Sequence, residues 1–380
     1  MNRSLAFDRA VAIVRREATA EKGGGGALVL TEPDTEPDSA TVPGAHKARR
    51  KLLLLHFEYP QISQTYIENE RRELARRYET EVVCLSLPDI AAQVHAPFHV
   101  LKPPTIPEFV RTVQRINPDI VHGHFLHMAK LLHMVAQIAG VPFTMRTHSA
   151  DVFPPEERAN PQSFVPFIND ELCRGVLTFP PCRPLLEQAG IRPEKIVDTF
   201  PVVDFDRFHD RSPNGRAIMN IGAATPKKNM GDFIHLSRLM PEREFNLYAL
   251  GYKVGELQQL NRELQGRVRF VPPVEPGLML PEYKKHEWMV LTSARQMPYA
   301  GWPIGVAEAQ AAGVGVCMQN IRPDLRDYVS DAGFIFDTVE DARRIVSQPF
   351  PAEFRERGFE NARRSDIRVT IGDLERLWWQ

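Results

Sequence analysis

Residues 217–229 read Ala217-Ile-Met-Asn-Ile221-Gly222-Ala223-Ala224-Thr225-Pro226-Lys227-Lys228-Asn229, and they decide the fold. A short, mostly apolar run predicts a strand covered on both faces. The glycine ends it, and a helical stretch, Met230 to Leu239, follows at once. The same texture recurs downstream in Phe245-Asn-Leu-Tyr-Ala249, Val268-Arg-Phe-Val271, Trp288-Met-Val-Leu291 and Val314-Gly-Val-Cys317, with a helix over Ile304 to Ala312. Upstream it has already run once. Lys51-Leu-Leu-Leu-Leu-His56, a helix over Thr65 to Tyr78, Glu81-Val-Val-Cys-Leu-Ser86, Asp119-Ile-Val-His122, Phe143-Thr-Met-Arg146 and Val176-Leu-Thr178 make the first series. Strands and helices alternating at ~25-residue intervals imply βαβ units and parallel sheets. A break near Asp204 to Asn214 separates the two series, so two Rossmann-like α/β domains are expected instead of one wide sheet. Residues 51–208 make the first and 209–363 the second. A helix within 364–380, carrying Leu374, Leu377 and Trp378, needs an apolar surface and is expected to cover the first domain. A ligand belongs in the crevice facing the carboxyl ends of both strand sets.

The flanking composition sets the remaining bounds. The 380 residues are 43% hydrophobic and 25% charged, as a soluble globular chain is. Lys+Arg 47 against Asp+Glu 48 leaves no basic surplus for nucleic-acid phosphates. Cys84, Cys173, Cys182 and Cys317 include no C-x-x-C pair, which argues against a zinc ribbon or a disulfide scaffold and suits a reducing cytoplasm. No apolar run reaches the ~20 residues that span a bilayer. Residues 1–50 form an extension. Met1 to Lys22 has an amphipathic helical pattern, with Leu5, Val11, Ile13 and Val14 among arginines, and could touch a membrane surface or a partner. Gly23 to Gly26 and the repeated Thr31-Glu-Pro-Asp and Thr35-Glu-Pro-Asp mark residues 23–46 as a disordered linker. The expected location is therefore cytoplasmic, with a peripheral contact at the inner face of the membrane through that helix.

Three segments carry candidate chemistry. Gly222 through Lys228, between a strand and a helix, combines free backbone N–H groups with a lysine and suits a diphosphate. Ala300-Gly301-Trp302-Pro303-Ile304-Gly305-Val306-Ala307-Glu308 places Pro303 in a first helical turn and a lone carboxylate further in, poised to accept bonds from a ribose diol. His148 follows a strand end and faces the cleft. His122, His124 and His127 raise the question of a metal, but no nearby acid or cysteine completes the set, and none is expected.

These residues together resemble family-4 glycosyltransferases. His56-Phe-Glu-Tyr-Pro-Gln-Ile-Ser63-Gln-Thr-Tyr-Ile-Glu-Asn-Glu70 looks like the family's opening loop, and Pro118 through Phe125, the His148 segment, Val203 through Phe208, Lys228 and Glu308 follow in the family's order over roughly residues 51–350. The resemblance implies a GT-B fold, with two Rossmann-like domains facing each other across a cleft. It implies transfer of a sugar, with retention and without a metal, from a nucleotide-sugar substrate to a glycan, lipid-linked or small-molecule acceptor. No cofactor is implied. The catalytic set is then His148 at the donor sugar, Lys228 at the diphosphate and Glu308 at the ribose. Gly222, Arg295, Gly301, Trp302 and Pro303 join the donor site, and Ser63, Gln64 and His124 lie on the acceptor side. Two departures stand out. Ala223 replaces the family's arginine, and Ala300 replaces the first of its paired acids; Arg295 or Arg322 could supply the missing positive charge. A catalytically degenerate binding subunit and a nucleotide-sugar epimerase share the fold and the donor site. A dinucleotide oxidoreductase fits poorly, since no G-x-G-x-x-G follows a first strand.

Overall fold

The computed structural model describes residues 49–88, 96–101, 106–152, 161–297 and 301–379. The amphipathic segment Met1 to Lys22, the linker at 23–46 and Ala300 lie outside the described residues. Two parallel sheets organise the rest. The first holds β1 (Lys51–Glu58), β2 (Glu79–Ser86), β3 (His99–Val100), β4 (Ile120–His124), β5 (Phe143–Arg146), β6 (Cys173–Thr178) and β7 (Ile196–Asp198), in the order β3-β2-β1-β4-β5-β6-β7. The second holds β8 (Ala217–Ala223), β9 (Phe245–Leu250), β10 (Val268–Phe270), β11 (His286–Leu291), β12 (Gly315–Gln319) and β13 (Gly333–Phe336), in the order β10-β9-β8-β11-β12-β13. Each order reverses beside its first strand, at β1/β4 and at β8/β11. Those switch points open the crevices in which α/β proteins bind ligands. The fold is GT-B.

The apolar runs are buried as continuous strands require. Leu52, Leu53, Leu54 and Leu55 are all sealed from solvent, each stabilising the fold by about 1.5–3 kcal/mol. Sequence reading missed β3, β7 and β13. They are short edge strands of two to four residues, and β3 is only His99-Val100, with no periodicity to detect. It also ended β4 too early. The strand runs to His124, so His122 and His124, two apart, point to the same side.

The C-terminal helix Ile367–Trp378 packs against the first sheet and the helix Thr65–Arg77. Its Ile371, Leu374, Leu377 and Trp378 join Leu54, Val82, Ile120 and Leu177 in one apolar cluster. Trp378 Nε1 donates to Thr144 Oγ1 at 2.7 Å, and Arg77 pairs with Glu375 at 3.1 Å. The helix Ile304–Ala311 is buried from Gly305 through Ala311. Small side chains permit that, since a Cβ on Gly305 would stand 3.1 Å from Ile221. The four cysteines are buried and form no disulfide. No helix among the described residues is long and apolar enough to cross a membrane.

Candidate functional site

The carboxyl ends of both sheets line one cleft of about 460 Å³. On the second sheet, β8 carries Gly222 one residue before its end, with a φ of +144° that L side chains rarely adopt. The chain then turns through Pro226–Lys228 into the helix Met230–Leu239, with Asn229 in the left-handed region at φ 39°. That turn holds Lys228 beside Gly222, where an added Cβ would lie 3.6 Å from Lys228 Cε. Burial, reinforced by neighbouring Lys227, pushes the Lys228 ammonium down to about 8. Thr292 Oγ1 donates to the Lys228 carbonyl at 2.8 Å and pins the turn from β11. Thr225 Oγ1 lines the same cleft, buried and without a hydrogen-bond partner among the described residues. An unsatisfied buried donor next to a half-buried cation is suited to an anionic oxygen.

Glu308 enters from the buried helix. Its Oε2 accepts from the Tyr283 hydroxyl at 2.7 Å, so the second oxygen is left for a ligand. Burial raises its carboxyl, while the Tyr283 bond and Arg207 act against that rise. Gly301, Trp302 and Pro303 line the cleft at the start of this helix. The Trp302 ring is stacked on Tyr328 at 4.8 Å and flanked by Phe200 and Phe179 at 5.4 and 5.9 Å. It therefore pins the two halves together at the cleft. Its Nε1 donates to Asp324 at 2.9 Å.

From the first sheet come His148, Ser63 and Gln64, all lining the cleft. His148 packs against Tyr66 and Phe125, with ring centroids 4.4 and 4.6 Å apart. Asp151 grips its loop: one carboxylate oxygen accepts the His148 N–H and the other the Leu126 N–H, each at 2.6 Å. Burial pushes the Asp151 carboxyl up to about 7 despite those bonds. A second cavity, about 450 Å³, adjoins the cleft and shares Gln64 and Arg207 with it.

Two expected site residues sit elsewhere. Arg295 is not among the residues lining the cleft; it pairs with Asp337 at 2.6 Å. Arg322 pairs with Asp324 at 2.7 Å. Neither offers a charge beside Ala223. His124 is 2% exposed and lies beneath the cleft floor, not on its surface. There it belongs to a cluster that sequence reading did not assemble. Glu70, from the helix Thr65–Arg77, accepts from His124 Nε2 at 3.1 Å and from Arg146 Nε at 2.9 Å. His122 Nε2 lies 2.9 Å from the same Glu70 oxygen as His124, at a poorer angle. The ligating atoms of Glu70, His122 and His124 fall within 4.8 Å of one another, close enough to share a metal ion. So the acid missing from the histidine set exists, contributed from far along the chain. Arg146, however, already presents a full positive charge to that carboxylate, with Nη2 at 2.8 Å, and works against a second cation. His127 turns away to Phe125 and Phe57.

Residues 215–348 match the family described as "Glycosyl transferases group 1". No curated protein matches the chain by sequence. Among solved structures, HepE of Anabaena in complex with UDP and glucose is similar at 17% identity and a TM-score of 0.70, covering 86% of this chain and 98% of its own. Sucrose-phosphate synthase from Thermosynechococcus elongatus is similar at 16% identity and 0.67, with the same coverages of 86% and 98%. A glycosyltransferase from Rickettsia africae is similar at 14% identity and 0.60, covering 87% and 98%.

Proposed function

We propose that the protein is a glycosyltransferase that moves a sugar from a nucleotide-sugar donor to an acceptor, with retention of anomeric configuration and without a metal ion. The observation that carries this reading is convergence. Lys228, Thr225 and Glu308 from the second sheet face His148 from the first across a single cleft. Lys228 and the Thr225 hydroxyl bind the donor diphosphate, Glu308 takes the ribose diol, and the Gly301–Pro303 backbone with His148 frames the sugar. The match to group 1 glycosyltransferases over 215–348 and the UDP-bound structure of similar fold support the donor assignment.

In the reaction the bond from the anomeric carbon to the leaving phosphate oxygen breaks as the acceptor oxygen bonds on the same face. The acceptor proton passes to the departing diphosphate. New negative charge gathers on that diphosphate, and a preorganised cation there lowers the barrier. With Ala223 at the family's arginine position, Lys228 bears most of that task. The acceptor enters through the polar cavity lined by Gln61, Gln64, Arg72 and Arg207.

A panel of nucleotide sugars, assayed for hydrolysis or transfer with the product anomer read by NMR, tests the proposal. Turnover with retention supports it. Nucleotide binding with no turnover of any donor would instead favour a binding subunit, and an inverted product would remove the retaining mechanism.

A further inference from the structure

Beneath the cleft floor, the Arg146 guanidinium, the Glu70 carboxylate and the rings of His124 and His148 are linked in series. Glu70 is 1% exposed and accepts from Arg146 and His124. His124 Nδ1 in turn lies 3.0 Å from His148 Nε2, with the two rings nearly parallel, 9° apart. His148 lines the cleft, and its Nδ1 makes no bond to any described residue. We infer that Glu70, acting through His124, fixes His148 as the Nε2–H tautomer, so that its ring meets the substrate as a hydrogen-bond acceptor at Nδ1.

The argument follows the protons. An ionised carboxylate only accepts, so the His124 nitrogen facing Glu70 carries a hydrogen. Burial alone would raise the Glu70 carboxyl, but Arg146, with the His124 and His122 rings, outweighs it and holds Glu70 well below the usual carboxylate range. Burial holds His124 down at about 4, so that ring is neutral and its Nδ1 is bare. A bare Nδ1 at 3.0 Å needs a donor, and among the described residues the only atom offered is His148 Nε2. His148 is itself kept neutral by burial and the nearby His124 and Arg146. One hydrogen on a neutral imidazole is then already committed, and Nδ1 faces the cleft with a lone pair. Such a group orients a substrate hydroxyl that donates to it. Glu70 is a positioning residue, because it touches only other side chains.

The inference rests on the donor reading only for which hydroxyl Nδ1 accepts. Long-range ¹H–¹⁵N correlation spectra of histidine-labelled protein, without ligand, report each tautomer directly, with His148→Gln and His124→Gln assigning the signals. Both His124 and His148 are expected as single Nε2–H forms. A His148 that is Nδ1–H, doubly protonated or an even mixture would overturn the assignment. Glu70→Gln supplies a second test. Arg146 should keep the amide oxygen, turning the amide NH₂ toward His124 and reversing the series, so both rings become Nδ1–H. Donor turnover should fall about tenfold or more, while affinity for a sugar-free nucleoside diphosphate, probed with UDP, GDP and ADP, stays the same. Unreversed tautomers in folded Glu70→Gln would refute the coupling. If that variant does not fold, the wild-type spectrum alone decides. Stoichiometric zinc in the purified protein, bound at bare Nε2 atoms of His122 and His124, would also overturn it. Failure of every nucleotide sugar to bind would sink the proposed function and leave the tautomer result standing.

Discussion

Removing the Lys228 charge gives the sharpest quantitative test. A hydrogen bond from an ammonium to a phosphate oxygen in a buried site contributes about 1.5–3 kcal/mol, so Lys228→Met should weaken nucleoside diphosphate binding by roughly 10- to 150-fold. The structure adds a second dimension, pH. Burial and Lys227 place the free lysine at about 8. A group depressed in this way is charged below that value and loses its proton above it, and only the charged form attracts the ligand. The protonated fraction is roughly nine-tenths at pH 7, one half at pH 8 and one-tenth at pH 9. Affinity should therefore drop about tenfold between pH 7 and pH 9, in a range where the phosphates, with a second pKa near ~6, are already ionised. Isothermal titration at each pH, in wild type and in Lys228→Met, measures both effects. The variant should bind weakly at pH 7 and show a nearly flat profile. An unchanged affinity in a folded variant, or the same pH slope in both proteins, would refute the placement of Lys228 at the diphosphate.

Other outcomes follow from the same cleft. Glu308→Ala should abolish the preference for a ribonucleoside diphosphate over its 2′,3′-dideoxy counterpart. Because it also strands the buried Tyr283 hydroxyl, it should lower stability by about 1–3 kcal/mol, and Glu308→Gln should restore most of the stability but not the preference. Trp302→Ala empties a site between Tyr328, Phe200 and Phe179; a loss of about 3–5 kcal/mol in denaturant unfolding is expected, and no change would show that the aromatic pin carries no load. Turnover should survive EDTA, and loss on chelation that Mg²⁺ or Mn²⁺ restores would contradict the metal-free mechanism.

What could be read from the sequence follows the range of the physics involved. Continuous apolar strands such as Leu52 to Leu55 announce themselves, because covering both faces leaves no alternation to hide. The glycine at 222 and the buried small-residue helix at 304–311 are equally local signals. Glu70 is not. On the helix Thr65–Arg77 it sits among Glu68, Arg71 and Arg72 and looks like one more solvated charge. Its partners lie 54 residues away at His124 and 76 away at Arg146, and only strand order β1-β4-β5 brings them under one helix. Arg295 erred in the opposite direction. It is near the donor motif in sequence, but the loop after β11 aims it at Asp337. Chain proximity says nothing about the direction of a side chain.

The return of residues 367–378 to the first sheet governs when this protein can be finished. A ribosome delivers the chain from its amino end, and domains generally fold as they emerge. Here the apolar face carrying Leu54, Val82, Ile120 and Leu177 keeps part of its cover in a segment made only after the second sheet. The first sheet is thus completed only after the whole second sheet has been synthesised. A message broken between the second sheet and residue 367 yields a chain with an intact second sheet and a wet, adhesive first one, marked for capture by chaperones or proteases. Synthesis of a half-built chain is self-reporting, because the helical turn with Trp378 closes on Thr144 only when everything between them exists.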